Sequence, residues 1–138
     1  MLKHLITVSA IIPKERSFVW DRWTQAEHII HWNFASEDWC CPQATNDLFV
    51  GGRFNWRMEA KDGSFGFDFT GRYSSIEELN KLDYVLDDDR EVNIQFNDHP
   101  EGIEIIEIFE AETENTVELQ MAGWQAILDN FKKYCENS

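Results

Sequence analysis

Basic residues are scarce in this sequence: 12 lysines and arginines stand against 26 aspartates and glutamates, for a formal net charge of −14. Nucleic acid and anionic membrane surfaces are bound through clustered Lys and Arg, so this balance excludes both as partners. Cysteine is sparse as well. There are three, with Cys40 and Cys41 adjacent, so no disulfide framework is expected, and 138 residues can bury a core without one. No apolar run approaches the ~20 residues that span a bilayer, and no signal peptide is apparent. The expectation is a reduced-thiol protein of the cytoplasm.

The usual signatures of chemistry are missing too. No GxSxG elbow occurs, no GK[ST] follows Gly51-Gly52, and no CxxC is present. His28 and His31 lie three apart, as zinc ligands on one helical face sometimes do, but no second ligand pair accompanies them. No catalytic residue, metal ligand or cofactor is assigned.

What the sequence does have is aromatic rings. The stretch VGGRFNWRMEAKDGSFGFDFTGRY, residues 50–73, alternates large apolar and polar residues on both sides of Asp62-Gly63. Side chains along a strand point alternately to opposite faces. Phe54, Trp56 and Met58 therefore share one face of a first strand, and Phe65, Phe67, Phe69, Gly71 and Tyr73 one face of a second. A two-residue type I′ turn at Asp62-Gly63 sets Met58 opposite Phe67, Trp56 opposite Phe69 and Phe54 opposite Gly71. In this register the aromatic rows form one floor, and Arg53, Arg57 and Asp68 face away from it. Gly71 leaves room for something to approach Phe54.

The rest of the chain reads as follows. Residues 2–10 form a β-branched first strand. Pro13 opens a helix to about Trp23, and Thr24 with Glu27 caps a second short one through Ile30. Residues 33–46 lose periodicity and read as a loop. Residues 81–86 and 91–97 alternate as two further strands around an acidic turn. GIEIIEIFEA, residues 102–111, is read as a strand with a bulge near Ile105 and Ile106. A capping box at Asn115 and Glu118 begins a long amphipathic helix with Val117, Met121, Trp124, Leu128, Phe131 and Cys135 on its core face. Gly123 inside it costs about 1 kcal/mol relative to Ala unless something approaches the backbone there. Between Glu77 and Glu118 the only Lys and Arg residues are Lys81 and Arg90, so this acidic region is read as a solvated outer face, with docking of a basic partner as the alternative. The order predicts an α+β fold in one domain, residues 1–138: a curved antiparallel sheet wrapped around the last helix.

Five blocks resemble a known family. Val19-Trp20, TQAEHIIHW at 24–32, VGGRF at 50–54, DGSFGFDFTGRY at 62–73 and GWQAILDNFKKY at 123–134 are similar to the C-terminal domain of the heat-shock-protein-90 ATPase activator, within the START-like, helix-grip superfamily. The resemblance implies a curved sheet gripping a long C-terminal helix, two short helices after the first strand, and a cavity between sheet and helix that holds apolar molecules. It also implies association with a chaperone as an alternative role. Family members often carry Asp-Gly before an Arg in the later hairpin, where this chain has Asp88-Asp89-Arg90.

Taken together, these readings predict a non-catalytic carrier or sensor of a small hydrophobic, lipid-like or aromatic molecule, monomeric or weakly dimeric. The expected ligand-binding residues are Trp32, Trp39, Phe54, Trp56, Phe67, Phe69, Tyr73, Trp124 and Leu128, with Tyr73 or Gln125 supplying an orienting hydrogen bond. Two alternatives stand beside that reading. So many rings are enough to fill the space completely, and a cyclase- or hydrolase-type enzyme would use the same cavity with Asp68, Arg53 or Arg57.

Overall fold

In the computed structural model, which describes residues 4–138, seven strands form one antiparallel sheet in the order β1-β7-β6-β5-β4-β3-β2. The strands are β1 (Leu5–Ile12), β2 (Trp39–Asn46), β3 (Arg53–Ala60), β4 (Gly66–Glu77), β5 (Lys81–Leu86), β6 (Glu91–His99) and β7 (Gly102–Glu110). Helices α1 (Arg16–Thr24) and α2 (Ala26–Ile29) follow β1, and α3 (Val117–Glu136) closes the chain. The curled sheet grips α3, which makes this the α+β helix-grip arrangement expected from the order of elements. Leu2, placed in the first strand by the sequence, lies outside the described residues.

The inner face of the sheet is the core. Ile6, Val8 and Ile12 of β1, Leu82 and Tyr84 of β5, Ile94 and Phe96 of β6, and Ile105 and Phe109 of β7 are all buried there. Each fully buried large apolar side chain contributes roughly 1.5–3 kcal/mol relative to exposure. Leu128, Phe131 and Cys135 of α3 close the core from the other side with no exposed surface.

The hairpin register is the one the aromatic pattern predicts: Phe54 pairs with Gly71, Trp56 with Phe69 and Met58 with Phe67. Its turn is not the expected two-residue one. A type I′ turn needs positive φ at both central residues, and here only Gly63 has it, at 78°. The Gly63 N–H instead bonds Ala60 O, the Ser64 N–H bonds the Asp62 carboxylate, and the Ala60 N–H reaches Phe65 O. The wider turn keeps the same pairing, so the faces are unchanged. In the later hairpin Asp89 takes φ of 71°, the left-handed conformation that a glycine would adopt without cost.

Other expectations are corrected. Residues 39–46 form β2, an edge strand with an irregularity between Cys40 and Gln43 around Pro42; edges and bulges are where a strand tolerates proline, and the break hid its periodicity. Helix α1 starts at Arg16, three residues past Pro13. Thr24 does not cap α2, because its hydroxyl donates to Trp20 O instead, 2.8 Å away. Thr116 rather than Asn115 caps α3, accepting from the Leu119 N–H at 3.1 Å. Met121 is exposed, and its expected place near the start of the buried stripe is taken by Gln120.

The correction with most consequence is in β7. Its pairing with both β1 and β6 runs without a shift from end to end, so there is no bulge near Ile105 and Ile106. Strict alternation then turns Ile103, Ile105, Glu107 and Phe109 inward, and a carboxylic acid enters the core.

Candidate functional site

A half-open cavity of about 240 Å³ lies between the sheet and α3. Its walls are aromatic. Trp32 is held by a hydrogen bond from its Nε1 to Arg22 O at 2.9 Å, and it packs edge-on against Phe131 at 4.8 Å and Trp56 at 6.2 Å. Trp23 stands beside it at 4.7 Å. Trp56 and Phe69, cross-strand partners, have ring centroids 5.7 Å apart. Trp124 forms the α3 side, stacked on Phe109 at 3.7 Å with its edge toward Phe69.

Of the residues the sequence singled out, Trp32, Trp56, Phe67, Phe69 and Trp124 line this cavity. Phe67 is 40% exposed and stands toward the open side. The floor runs out past the core there: Phe65, on the same face, is 63% exposed. Trp39 on β2 packs against Phe65 and Phe67 rather than the cavity. Phe54, Tyr73 and Leu128 belong to the solid core and do not line it. The gap left by Gly71 is already taken: a Cβ there would stand 2.5 Å from Val85 O and 2.8 Å from the Phe54 ring.

Neither expected orienting group faces the cavity. The Tyr73 hydroxyl donates to Asn46 Oδ1 at 2.7 Å, and Asn46 Nδ2 donates to Thr24 O at 2.6 Å, so this chain ties β4 to β2 and to the end of α1. Burial raises the Tyr73 pKa above the ordinary phenol value. Gln125 Nε2 donates to Ser9 O at 2.9 Å, pinning α3 to β1.

The polar groups of the cavity come instead from residues the sequence reading passed over. Glu107 lines it and is 4% exposed. Burial alone pushes its pKa up to about 8, because the charged form loses water and gains no partner. Tyr84, also lining, is raised well above the phenol value first by burial and then by the nearby Glu107 charge. The indole N–H groups of Trp23 and Trp56 are buried without acceptors among the described residues. At the entrance Gln120 is fully engaged: its Nε2 donates to Glu112 O and Asn115 O, and its Oε1 accepts from the Glu112 N–H at 2.8 Å, which fixes the loop before α3. The signal for Glu107 was present in the sequence, since GIEIIEIFE alternates cleanly if its third and sixth residues are allowed to fall on opposite faces.

Outside the cavity, the groups considered for catalysis or metal binding are used locally. Arg57 pairs with Glu59 at 2.9 Å and Asp68 at 3.5 Å on the outer face of the sheet. Arg53 pairs with Asp87 at 2.7 Å. His28 Nδ1 meets the Tyr134 hydroxyl at 2.6 Å and its Nε2 lies 3.4 Å from Asp21, while His31 stacks on the same tyrosine. Cys41 and Cys135 are buried free thiols whose pKa values burial pushes up to about 11 and about 12, which keeps them protonated and unreactive as nucleophiles.

Comparison with known proteins follows the same geometry. The family described as Activator of Hsp90 ATPase homolog 1-like protein matches residues 14–136. An AHSA1-like protein from Aeromonas hydrophila, solved by NMR, is 48% identical, superposes with a TM-score of 0.91, and the match covers 97% of this chain and 93% of that one. A protein from Cytophaga hutchinsonii is 42% identical with a TM-score of 0.83, over 96% and 92% of the two chains. A Nitrosomonas europaea protein shares the fold with a TM-score of 0.82 at 15% identity, over 96% and 94% of the two chains. No curated protein sequence matches significantly. Among the described residues no helix is long and apolar enough to cross a membrane.

Proposed function

Because this chain belongs to the Activator of Hsp90 ATPase homolog 1-like family, we propose that it binds a small, mainly apolar molecule between its sheet and its last helix, as a carrier or sensor that performs no chemistry on it. The observation that carries this reading is the cavity of about 240 Å³ walled by Trp32, Trp56, Phe69 and Trp124. Ligand pockets are mostly apolar with a few placed polar groups, and that is the composition here. An engineered apolar cavity of ~150 Å³ accepts a benzene ring, so this one suits an aromatic ring with a short substituent rather than a long lipid chain. With its buried free thiols, the protein is assigned to the cytoplasm, as a monomer or weak dimer.

The test is a thermal-shift screen with small aromatic and lipid-like compounds, paired with native mass spectrometry of the purified protein. A native-state ligand at 100 times its Kd stabilises by about 2.7 kcal/mol, which is readily seen. If no class of compound raises the melting temperature and no molecule co-purifies, the carrier reading fails.

A second reading, association with a chaperone, draws on the family description and on the acidic region from Glu77 to Glu118. Attraction between exposed charges is screened within roughly 8 Å at physiological ionic strength. A partner held by that region would be released from the immobilised protein by high salt, and the reading is lost if none is.

A further inference from the structure

One row of inward-facing residues crosses the sheet through Val8, Glu107, Ile94 and Leu82, each the direct cross-strand partner of the next. Val8, Ile94 and Leu82 are at most 3% exposed. Glu107 is as deeply placed, lines the cavity, and has no hydrogen-bond or ion-pair partner among the described residues.

Among the described residues the surroundings supply no free counter-charge. Tyr84 of β5 presents a hydroxyl that is itself without a hydrogen-bond partner among the described residues. Val8 of β1 and Ile94 of β6 are apolar. Trp124 and Gln120 face the cavity from α3, and the Gln120 amide is already committed to the loop before the helix. Of the charged residues at the entrance, Arg90 is held by Asp88 at 2.8 Å and by Glu110 O at 3.3 Å, and Glu112 accepts from Asn115. A buried ionised carboxylate without a partner is costly, and a purely structural position in this row would be filled at no such cost by Val or Ile.

We propose that Glu107 makes the cavity a receptor for a small aromatic amine in its protonated form, with the ring held among the indoles and the ammonium paired to the Glu107 carboxylate. This deepens the carrier reading above and rests on it. Three features support the assignment independently. The unmatched acid lacks one positive charge. The walls are tryptophan faces, which attract cations as well as rings. The protein carries a formal charge of −14, a field that concentrates cations at an opening in its surface. When an ammonium enters, Glu107 gives its proton to solvent and the ion pair forms, so binding at neutral pH releases about one proton. A neutral ligand leaves the acid protonated, and an anionic one meets a site that gains nothing from it.

The test compares 2-phenylethylamine, 2-phenylethanol and 3-phenylpropionate on the full chain at pH 7, by tryptophan fluorescence and by calorimetry in buffers of different ionisation enthalpy. The amine is expected to bind at least about tenfold more tightly than the alcohol, with proton release, and the carboxylate weakest. In Glu107→Gln the amine preference and the proton release disappear while the alcohol still binds. An amine no tighter than the alcohol in the unaltered protein overturns the inference without any variant, and so does a preference that survives Glu107→Gln. Binding of the alcohol alone leaves the carrier reading standing and removes this one; binding of none of the three probes overturns this inference, while the carrier reading is decided by the broader screen.

Discussion

Trp124 of α3 lies nearly parallel to Phe109 of β7, with ring centroids 3.7 Å apart and planes 10° from coplanar. The same indole meets Phe69 of β4 at 6.0 Å. One side chain thus bridges two strands three places apart in the sheet and closes the cavity on the helix side. Trp→Ala at buried sites costs ~3–5 kcal/mol. Trp124 is only half-buried, so Trp124→Ala is expected to cost about 2 kcal/mol, below that range. The larger effect is on binding: the variant should lose most of the thermal shift that a bound aromatic compound produces. Denaturant unfolding with and without the compound checks both, and an undiminished ligand shift would remove Trp124 from the site.

Gly71 faces Phe54 across the β3–β4 pair. A Cβ at that position would lie 2.5 Å from Val85 O and 2.8 Å from the Phe54 ring, too close for either backbone or ring to yield without moving the sheet. Gly71→Ala is therefore expected to destabilise by about 1–3 kcal/mol, as overpacking does. Chemical denaturation measures it. Stability equal to the parent would mean that both the Val85 backbone and the Phe54 ring can shift without cost.

At Gly123 the expectation has the opposite sign. A Cβ there meets nothing within 4 Å, so the glycine serves no close approach and simply weakens the interior of α3. Gly123→Ala should stabilise by about 1 kcal/mol, raising the melting temperature by about 4 °C. A fall would show that the helix backbone is contacted in solution.

The fold was legible because period-two alternation states which face each strand residue takes, and the register of Trp56 with Phe69 followed from it. Three features were not legible. At Asp62-Gly63 two different turns give the same pairing, and only backbone angles separate them. Strand β2 was missed because Pro42 and its irregularity erase the alternation at a sheet edge. Glu107 was not legible for a more instructive reason: the bulge expected near Ile105 and Ile106 breaks the alternation that turns Glu107 inward. With the pairing unbroken, Glu107 is, among the described residues, the acidic side chain that faces the cavity from the sheet. The aromatic walls follow from alternation of apolar residues, whereas Glu107 keeps the alternation but is not apolar.

That acid makes stability depend on pH in a direction that can be worked out. Its pKa in the folded protein is raised to about 8 from 4.5, by burial. Below pH 4.5 the carboxyl is protonated folded or unfolded, and it contributes no pH dependence. Between about 4.5 and 8 the unfolded chain releases the proton and the folded protein keeps it, so stability falls as pH rises through this window. From pH 4.5 to 7 the loss is on the order of 3 kcal/mol, at 1.36 kcal/mol per unit. Glu107→Gln removes this contribution. Its stability relative to the parent should therefore grow steadily from pH 5 to 8 and level off above, a slope that no change in packing would produce. Urea unfolding of the two proteins at several pH values gives the difference directly. A difference independent of pH would mean that Glu107 is already ionised and paired in the folded protein.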